Sequence, residues 1–226
     1  MGALQGLIDE GAPENEGGPG DGGAPGDKEV SGDRGATTRE RRERPLLIVH
    51  TGAMKGKTTA AFGMALRAWA AGLPVIVHQF VKSGRWRVGE ESALRALGEV
   101  HARTGQGAPV EWYALGQGRT GARIRLDAPD PAAQAARAWA DVRARLARGG
   151  PAFHLLDEFT YPLTWGWVDV EEVVDTLVRR PGFQHVIVTG RDAHPRLVAV
   201  ADLVAESVVV RHPLESGQPG QRGIEW

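Results

Sequence analysis

The stretch Ile48-Val49-His50-Thr51-Gly52-Ala53-Met54-Lys55-Gly56-Lys57-Thr58-Thr59-Ala60-Ala61 constrains this chain more than any other. Leu46 to Val49 is an apolar run that reads as a buried parallel strand. After a tight turn, Thr58 to Ala71 carries good helix formers with apolar positions at helical spacing. Strand, loop, Gly56-Lys57-Thr58 and helix form the layout of a phosphate-binding loop. In such a loop the backbone N–H groups and the helix N-terminus face a polyphosphate, a lysine neutralises it, and a hydroxyl reaches Mg2+. In the pattern G-x-x-x-x-G-K-[ST] the first glycine would fall on Thr51, whereas Gly52 stands one place later. An ordinary helix start with an exposed lysine is the alternative. The apolar strand before the loop and the helix after it favour phosphate binding.

The rest of the chain alternates in the same way. Val75 to Val81 reads as a second strand after the stop signal Gly72-Leu73-Pro74, and Glu90 to Leu97 as a helix. Gly98 to Pro109 is polar and glycine-rich, Val110 to Leu115 is a third strand, and Gly116 to Gly121 reads as a flexible loop. Pro131 to Arg148 is an amphipathic helix with proline near its start, Val170 to Arg179 a helix with acids around its first turn, and Gln184 to Thr189 a strand delivering Gly190-Arg191-Asp192. A helix over 194–201 and a β segment near Ser207 to His212 close the chain. Strands alternating with helices imply a parallel sheet with right-handed crossovers.

Between these elements, Ala152-Phe153-His154-Leu155-Leu156-Asp157-Glu158 is an apolar strand ending in two carboxylates. Ligands bind at the carboxyl ends of strands in open parallel sheets, so this strand end suits a metal-organising acid. A strand followed by a helix-capping acid is the plainer reading.

Composition narrows the function classes. A net charge of −1 gives no electrostatic argument for nucleic acid or an anionic membrane. With no cysteine there is no disulfide, thiolate metal site or cysteine nucleophile, which suits a reducing cytoplasm. No run reaches the roughly 18 apolar residues of a membrane span, and no signal-peptide pattern opens the chain. Gly11 to Gly35 is rich in Gly, Pro, Asp and Glu and should be disordered; the charged stretch Thr38 to Arg44 follows as a short helix or solvated linker that Pro45 would end. The division expected is a tail over 1–44 and one α/β domain over 45–226.

Several segments in order resemble the phosphate-loop type of cob(I)alamin (corrinoid) adenosyltransferase. They are Thr58-Thr59-Ala60-Ala61-Phe62-Gly63 with its loop, Val77-His78-Gln79-Phe80-Val81-Lys82, Gly89-Glu90, Leu155-Leu156-Asp157-Glu158-Phe159-Thr160-Tyr161, Val188-Thr189-Gly190-Arg191 and the terminal Gly223-Ile224-Glu225-Trp226. The resemblance implies a three-layer, RecA-like phosphate-loop fold, a homodimer, and a requirement for ATP and Mg2+ (or Mn2+). It also implies transfer of the 5′-deoxyadenosyl group to the cobalt of a reduced corrinoid, with triphosphate leaving and a flavoprotein as the reductant. On this reading Gly52, Ala53, Met54, Lys55, Gly56, Lys57, Thr58, Thr59 and Arg191 contact the nucleotide. Thr58 with one of Asp157 or Glu158 holds the metal, and Lys57, Glu158 and Arg191 serve catalysis. Arg191 has a second reading, as a salt bridge to Asp192 or Glu158. A carrier or regulator that binds without turnover, and a generic phosphate-loop ATPase, are the alternatives to the transferase.

Two departures from the family pattern stand out. Ala53 and Met54 occupy positions where the family loop carries Asn and Gly, which predicts a strained or reshaped loop. Gly118-Arg119-Thr120-Gly121 replaces a Gly-Phe-Thr-Trp segment whose aromatics pack beside the corrin. Trp86, Trp112 and Tyr113 are the nearby aromatics, each readable as a substitute or as ordinary packing.

Overall fold

The fold is built on five- and six-residue apolar strands long enough to cross a sheet but too short to be helices: β1 (Leu47–Thr51), β2 (Val75–Gln79), β3 (Val110–Ala114), β6 (Ala152–Asp157) and β7 (Gln184–Thr189). The computed structural model describes residues 44–80, 89–114, 116–117, 122–123 and 130–224. With β8 (Leu203–Glu206) these strands form a six-stranded sheet in the order β3-β2-β6-β7-β1-β8, parallel at every pairing. Every residue of β6 is buried, the continuous apolar pattern of a strand covered on both faces.

The covering helices make three layers, as expected. On one face α1 (Lys57–Ala70) and α2 (Gly89–Thr104) bury Ala61, Phe62, Ala65 and Leu94 against Ile48, Val77, Leu155 and Ile187. On the other face α3 (Pro131–Leu146), α5 (Val170–Val178) and α6 (Pro195–Val200) bury Trp139, Val142, Leu177 and Leu197 against Val49, Leu156 and Val188. Each element lies on one face because side chains of a strand alternate, so odd and even residues feed different cores. Asp130 and Asp169 cap α3 and α5 by accepting N–H bonds of 2.8 Å from Ala133 and Glu172.

The register aligns the strand ends that carry function. Gln79 pairs with Asp157 across β2 and β6, His50 with Thr189 across β1 and β7, and Thr51 with Glu206 across β1 and β8. A short helix, α4 (Thr160–Thr164), follows β6 directly.

Three expectations need correction. Helix α2, expected to end at Leu97, continues to Thr104 into the stretch read as polar and glycine-rich. Gly98 is tolerated there because a Cβ on it would come within 3.2 Å of Val110 Cβ; the missing side chain lets helix and strand approach. The last strand lies at Leu203–Glu206, upstream of Ser207 to His212. Its register is pinned by Asp202, whose Oδ2 accepts the Leu47 N–H at 2.7 Å, whereas Val208 and Val210 are exposed despite their β-branching. Finally, β4 (Gly116–Gln117) and β5 (Ala122–Arg123) form a two-residue antiparallel pair at the edges of the segment read as a flexible loop. The residues between them, Gly118 to Gly121, lie outside the described part, as do the expected tail through Glu43, Trp86 with its loop, and the final Glu225 and Trp226.

Candidate functional site

The turn after β1 has φ of 101° at Gly52 and 105° at Gly56, both left-handed. The two glycines are needed for different reasons. A Cβ on Gly52 would sit 2.5 Å from the Ser207 carbonyl oxygen, so the backbone there lies directly on the chain leaving β8. A Cβ on Gly56 would meet nothing within 4 Å, so only its conformation demands glycine. Met54 takes no positive φ, which corrects the expected strain: the left-handed turns fall on the two glycines flanking Ala53, Met54 and Lys55. Gly56 caps α1 without any side-chain hydrogen bond, leaving the first N–H groups of Lys57, Thr58 and Thr59 to be satisfied from outside the helix. Together with the helix dipole, that is an anion site.

Lys57 is buried at 8% exposure, and its ammonium donates to the carbonyl oxygens of Gly52, at 2.7 Å, and Met54. The side chain thus folds under the loop and holds its charge there. Burial first, then the neighbouring Arg191 cation, lowers its pKa, while Glu158 and Asp192 work against that shift.

Asp157 closes the other side. Its Oδ1 accepts from Thr58 Oγ1 at 3.0 Å and from Thr189 Oγ1 at 2.9 Å, and its Oδ2 accepts from Gln79 Nε2 at 3.0 Å. The first bond joins the helix of the phosphate loop to the acidic strand end, as an oxygen-ligated metal requires. Next to it, Glu158 adopts φ 61°, a left-handed conformation rare for a side chain-bearing residue, and its N–H is taken by Thr189 Oγ1 at 3.0 Å. Thr58 Oγ1 and the Asp157 carboxylate are hard oxygen donors of the kind that suits Mg2+ or Mn2+, with phosphate oxygens and water completing a shell. Among the described residues no group of three or more His, Cys, Asp and Glu is gathered for a metal.

Arg191 sits in the turn after β7. Thr160 Oγ1 donates to the Arg191 carbonyl at 2.6 Å, Thr164 Oγ1 to the Asp192 carbonyl at 3.1 Å, and Thr51 Oγ1 accepts the Ala193 N–H at 3.1 Å. Gly190 at φ 146° permits this contact, since a Cβ there would lie 1.9 Å from Thr160 Oγ1. The turn with Arg191 is therefore strapped to both the acidic strand end and the phosphate loop.

Lys57, Thr58, Asp157 and Glu158, expected from sequence to act together, are brought together, and Arg191 stands near enough to perturb Lys57 and Tyr161. Ala53, Met54 and Lys55 instead border a cavity of 660 Å³ that Arg191 and residues of the segment 212–224 also line. Sequence reasoning missed Gln79, Thr160, Thr189 and this segment as parts of the site. The available signal was a polar residue at the end of an apolar strand, which Gln79 and Thr189 both satisfy. Of the aromatics offered as substitutes beside a corrin, Trp112 is buried and stacks on Phe62 with ring centres 5.5 Å apart, so it belongs to the core. Tyr113 stacks on His78 and lies under the Arg145 guanidinium, 3.6 Å from the ring centre.

A parallel sheet with a glycine-bounded loop at a helix N-terminus, a buried lysine under it and a hydroxyl–carboxylate contact beside it defines a phosphate-loop nucleotide-binding protein. Within that class, a family model described as "ATP:corrinoid adenosyltransferase BtuR/CobO/CobP" matches residues 43–226, and the chain belongs to this family. It is 39% identical over 185 residues to a corrinoid adenosyltransferase of Sinorhizobium sp, covering 81% of each chain. It is 36% identical to a corrinoid adenosyltransferase of Pseudomonas aeruginosa, covering 82% of this chain and 86% of the relative. It is 38% identical to the corrinoid adenosyltransferase CobA of Salmonella typhimurium, covering 81% and 87%.

Proposed function

We propose that the protein transfers the 5′-deoxyadenosyl group of ATP to the cobalt of a reduced corrinoid, in the biosynthesis or salvage of adenosylcobalamin. The observation that carries this reading is the 3.0 Å contact between Thr58 and Asp157, which joins an anion-binding loop to a metal-suited acid in a member of this family. Cobalt(I) attacks the ribose C5′, the cobalt–carbon bond forms, and the C5′–oxygen bond breaks with its electron pair leaving on triphosphate. Cobalt itself is the nucleophile, so no side chain has to act as a general base. What the protein supplies is position and a positive field for the leaving group.

Each residue then has a part. Loop N–H groups from Gly52 to Thr59 and the Lys57 ammonium hold the phosphates, with Lys55 and Arg191 adding charge from above. Thr58, Asp157 and Glu158 would hold Mg2+ or Mn2+. When bound, that ion neutralises phosphate charge and fixes the geometry of the triphosphate. Residues 45–226 form the catalytic domain and 1–44 a tail outside it. The active form is a cytoplasmic homodimer that receives electrons from a flavoprotein; family resemblance supports these last points.

The test is incubation with ATP, Mg2+ and chemically reduced cobalamin, followed in the visible spectrum. Formation of adenosylcobalamin with equimolar intact triphosphate is expected. Release of orthophosphate from ATP without any corrinoid change would make the protein an ATPase, and neither product would make it a binder.

A further inference from the structure

Arg191 is held in the site by its backbone. Among the described residues no ion pair takes its guanidinium. The main chain around it, by contrast, is gripped by hydroxyls. Thr160 Oγ1 donates to the Arg191 carbonyl at 2.6 Å. Thr164, one helical turn further along α4, shares its proton between the Asp192 carbonyl, 3.1 Å away, and the Thr160 carbonyl, 3.0 Å away. Thr160 therefore makes the tighter and undivided contact. It is fully buried, and Gly190 packs so closely on it that any Cβ at 190 would lie 1.9 Å from its hydroxyl.

The turn so gripped has a shape it would not hold unaided. Asp192 takes φ 50°, a left-handed conformation uncommon for a residue with a side chain, and Gly190 takes φ 146°. Such backbone persists where its surroundings over-determine it. Here they do so from two sides, since Thr51 Oγ1 accepts the Ala193 N–H at 3.1 Å. Thr160 also comes three residues after Asp157, so its place is set by the acidic end of β6.

We propose that Thr160 is a positioning residue for Arg191: its grip on the Arg191 carbonyl sets the direction in which the guanidinium leaves the backbone, toward the phosphates of ATP. The inference rests on the function proposed above. Arg191 lines one cavity with Ala53, Met54 and Lys55 and stands close enough to Lys57 to disfavour its charge, so it faces the phosphate loop. A long side chain without an ion pair binds an anion better when its main chain is already fixed, because less freedom is lost on binding. A neutral hydroxyl achieves this without consuming the positive charge, as a carboxylate at the same place would.

The experiment is a double-mutant cycle of Thr160→Ala and Arg191→Ala in the full chain, with affinities for ATP and inorganic tripolyphosphate measured by calorimetry in Mg2+. Thr160→Ala should weaken both ligands by roughly three- to tenfold, the effect of losing one hydrogen bond, and Thr160→Ser should restore most of that loss. In the Arg191→Ala background, adding Thr160→Ala should change affinity by less than about twofold, because no guanidinium remains to be aimed. Melting curves report packing separately and should fall equally in both backgrounds. Equal losses of affinity in the two backgrounds would make Thr160 structural and overturn the inference. So would natural affinity in either Thr160→Ala or Arg191→Ala, or a loss that Thr160→Ser does not restore. Should Thr160→Ala fail to fold, Thr164→Ala replaces it in the cycle, and additivity with Arg191→Ala there overturns the inference equally. Adenosylcobalamin formation by the natural protein tests the proposed function independently, so the failure of one is distinguishable from the failure of the other.

Discussion

Thr189 donates its hydroxyl to Asp157 Oδ1 at 2.9 Å and accepts the Glu158 N–H at 3.0 Å, so one buried side chain holds the Asp157 carboxylate and the Glu158 backbone at the end of β6. Thr189→Val keeps the shape and removes both bonds. It should lower stability by about 1–3 kcal/mol, the cost of leaving buried polar groups unpaired. Thr189→Ser should keep most of it. The more telling readout is the Mg2+ concentration needed for half-maximal ATP binding, which should rise in Thr189→Val and in Asp157→Asn. Magnesium titrations that overlay the natural protein's would show these acids to be structural.

Lys57→Ala should weaken ATP and tripolyphosphate alike. A charge-assisted hydrogen bond contributes about 1.5–3 kcal/mol, so roughly a 10- to 100-fold rise in Kd is expected. Calorimetry decides the matter, and unchanged affinity would remove the phosphate loop from the account.

The glycines of the loop should respond unequally to alanine. Gly56→Ala meets no neighbour within 4 Å and carries only the left-handed penalty of about 1–2 kcal/mol. Gly52→Ala carries that penalty and also drives a methyl to 2.5 Å from Ser207 O, so the loop must move off β8. Thermal melting should rank Gly52→Ala well below Gly56→Ala; equal losses would mean the close approach to Ser207 is unimportant.

Acid should destabilise the sheet through a buried histidine pair. His154 and His78 stack with ring centres 5.7 Å apart, and His154 Nε2 lies 3.0 Å from Gln184 Oε1. Burial lowers the His154 pKa to about 4 and puts that of His78 well below its ordinary 6.5. Since the unfolded chain binds these protons first, the contribution is complete above pH 6.5 and is lost as pH falls toward about 4. The His154 share is about 3 kcal/mol over that window. Melting temperature should therefore fall between these limits, and less steeply in His154→Gln. Parallel curves for the two proteins would assign the acid sensitivity elsewhere.

Arg119 and Gly121, where the family has aromatics beside the corrin, should make the protein far better with pre-reduced cobalt(I) than with cobalt(II) and a reductant. Arg119→Phe combined with Gly121→Trp should raise the cobalt(II)-dependent rate and change the cobalt(I)-dependent rate much less. Electron paramagnetic resonance of the natural protein with ATP and cobalt(II) is the direct check. An abundant four-coordinate signal there would mean that another side chain does the displacing.

The phosphate loop and the acidic strand end were legible in the sequence because both depend on local chemistry. An apolar run must be buried, a glycine permits a turn that other residues resist, and Gly56-Lys57-Thr58 opens a helix that presents its own N–H groups. Alternation of strands and helices likewise implied a parallel sheet. Tertiary structure alone decided which polar residues meet. Thr189 reaches Asp157 because β7 lies beside β6, and Gln79 reaches it because β2 lies on the other side. Neither neighbour is implied by spacing along the chain. The end of the sheet was misplaced for a similar reason: Val208-Val209-Val210 has the stronger strand propensity, but Asp202 pairs with the Leu47 N–H and sets the register upstream. The segment 212–224 carries almost no periodic signal. That it lines one cavity with Ala53, Met54 and Lys55, and that Gly52 lies backbone on backbone against Ser207, are tertiary contacts that no side-chain pattern records.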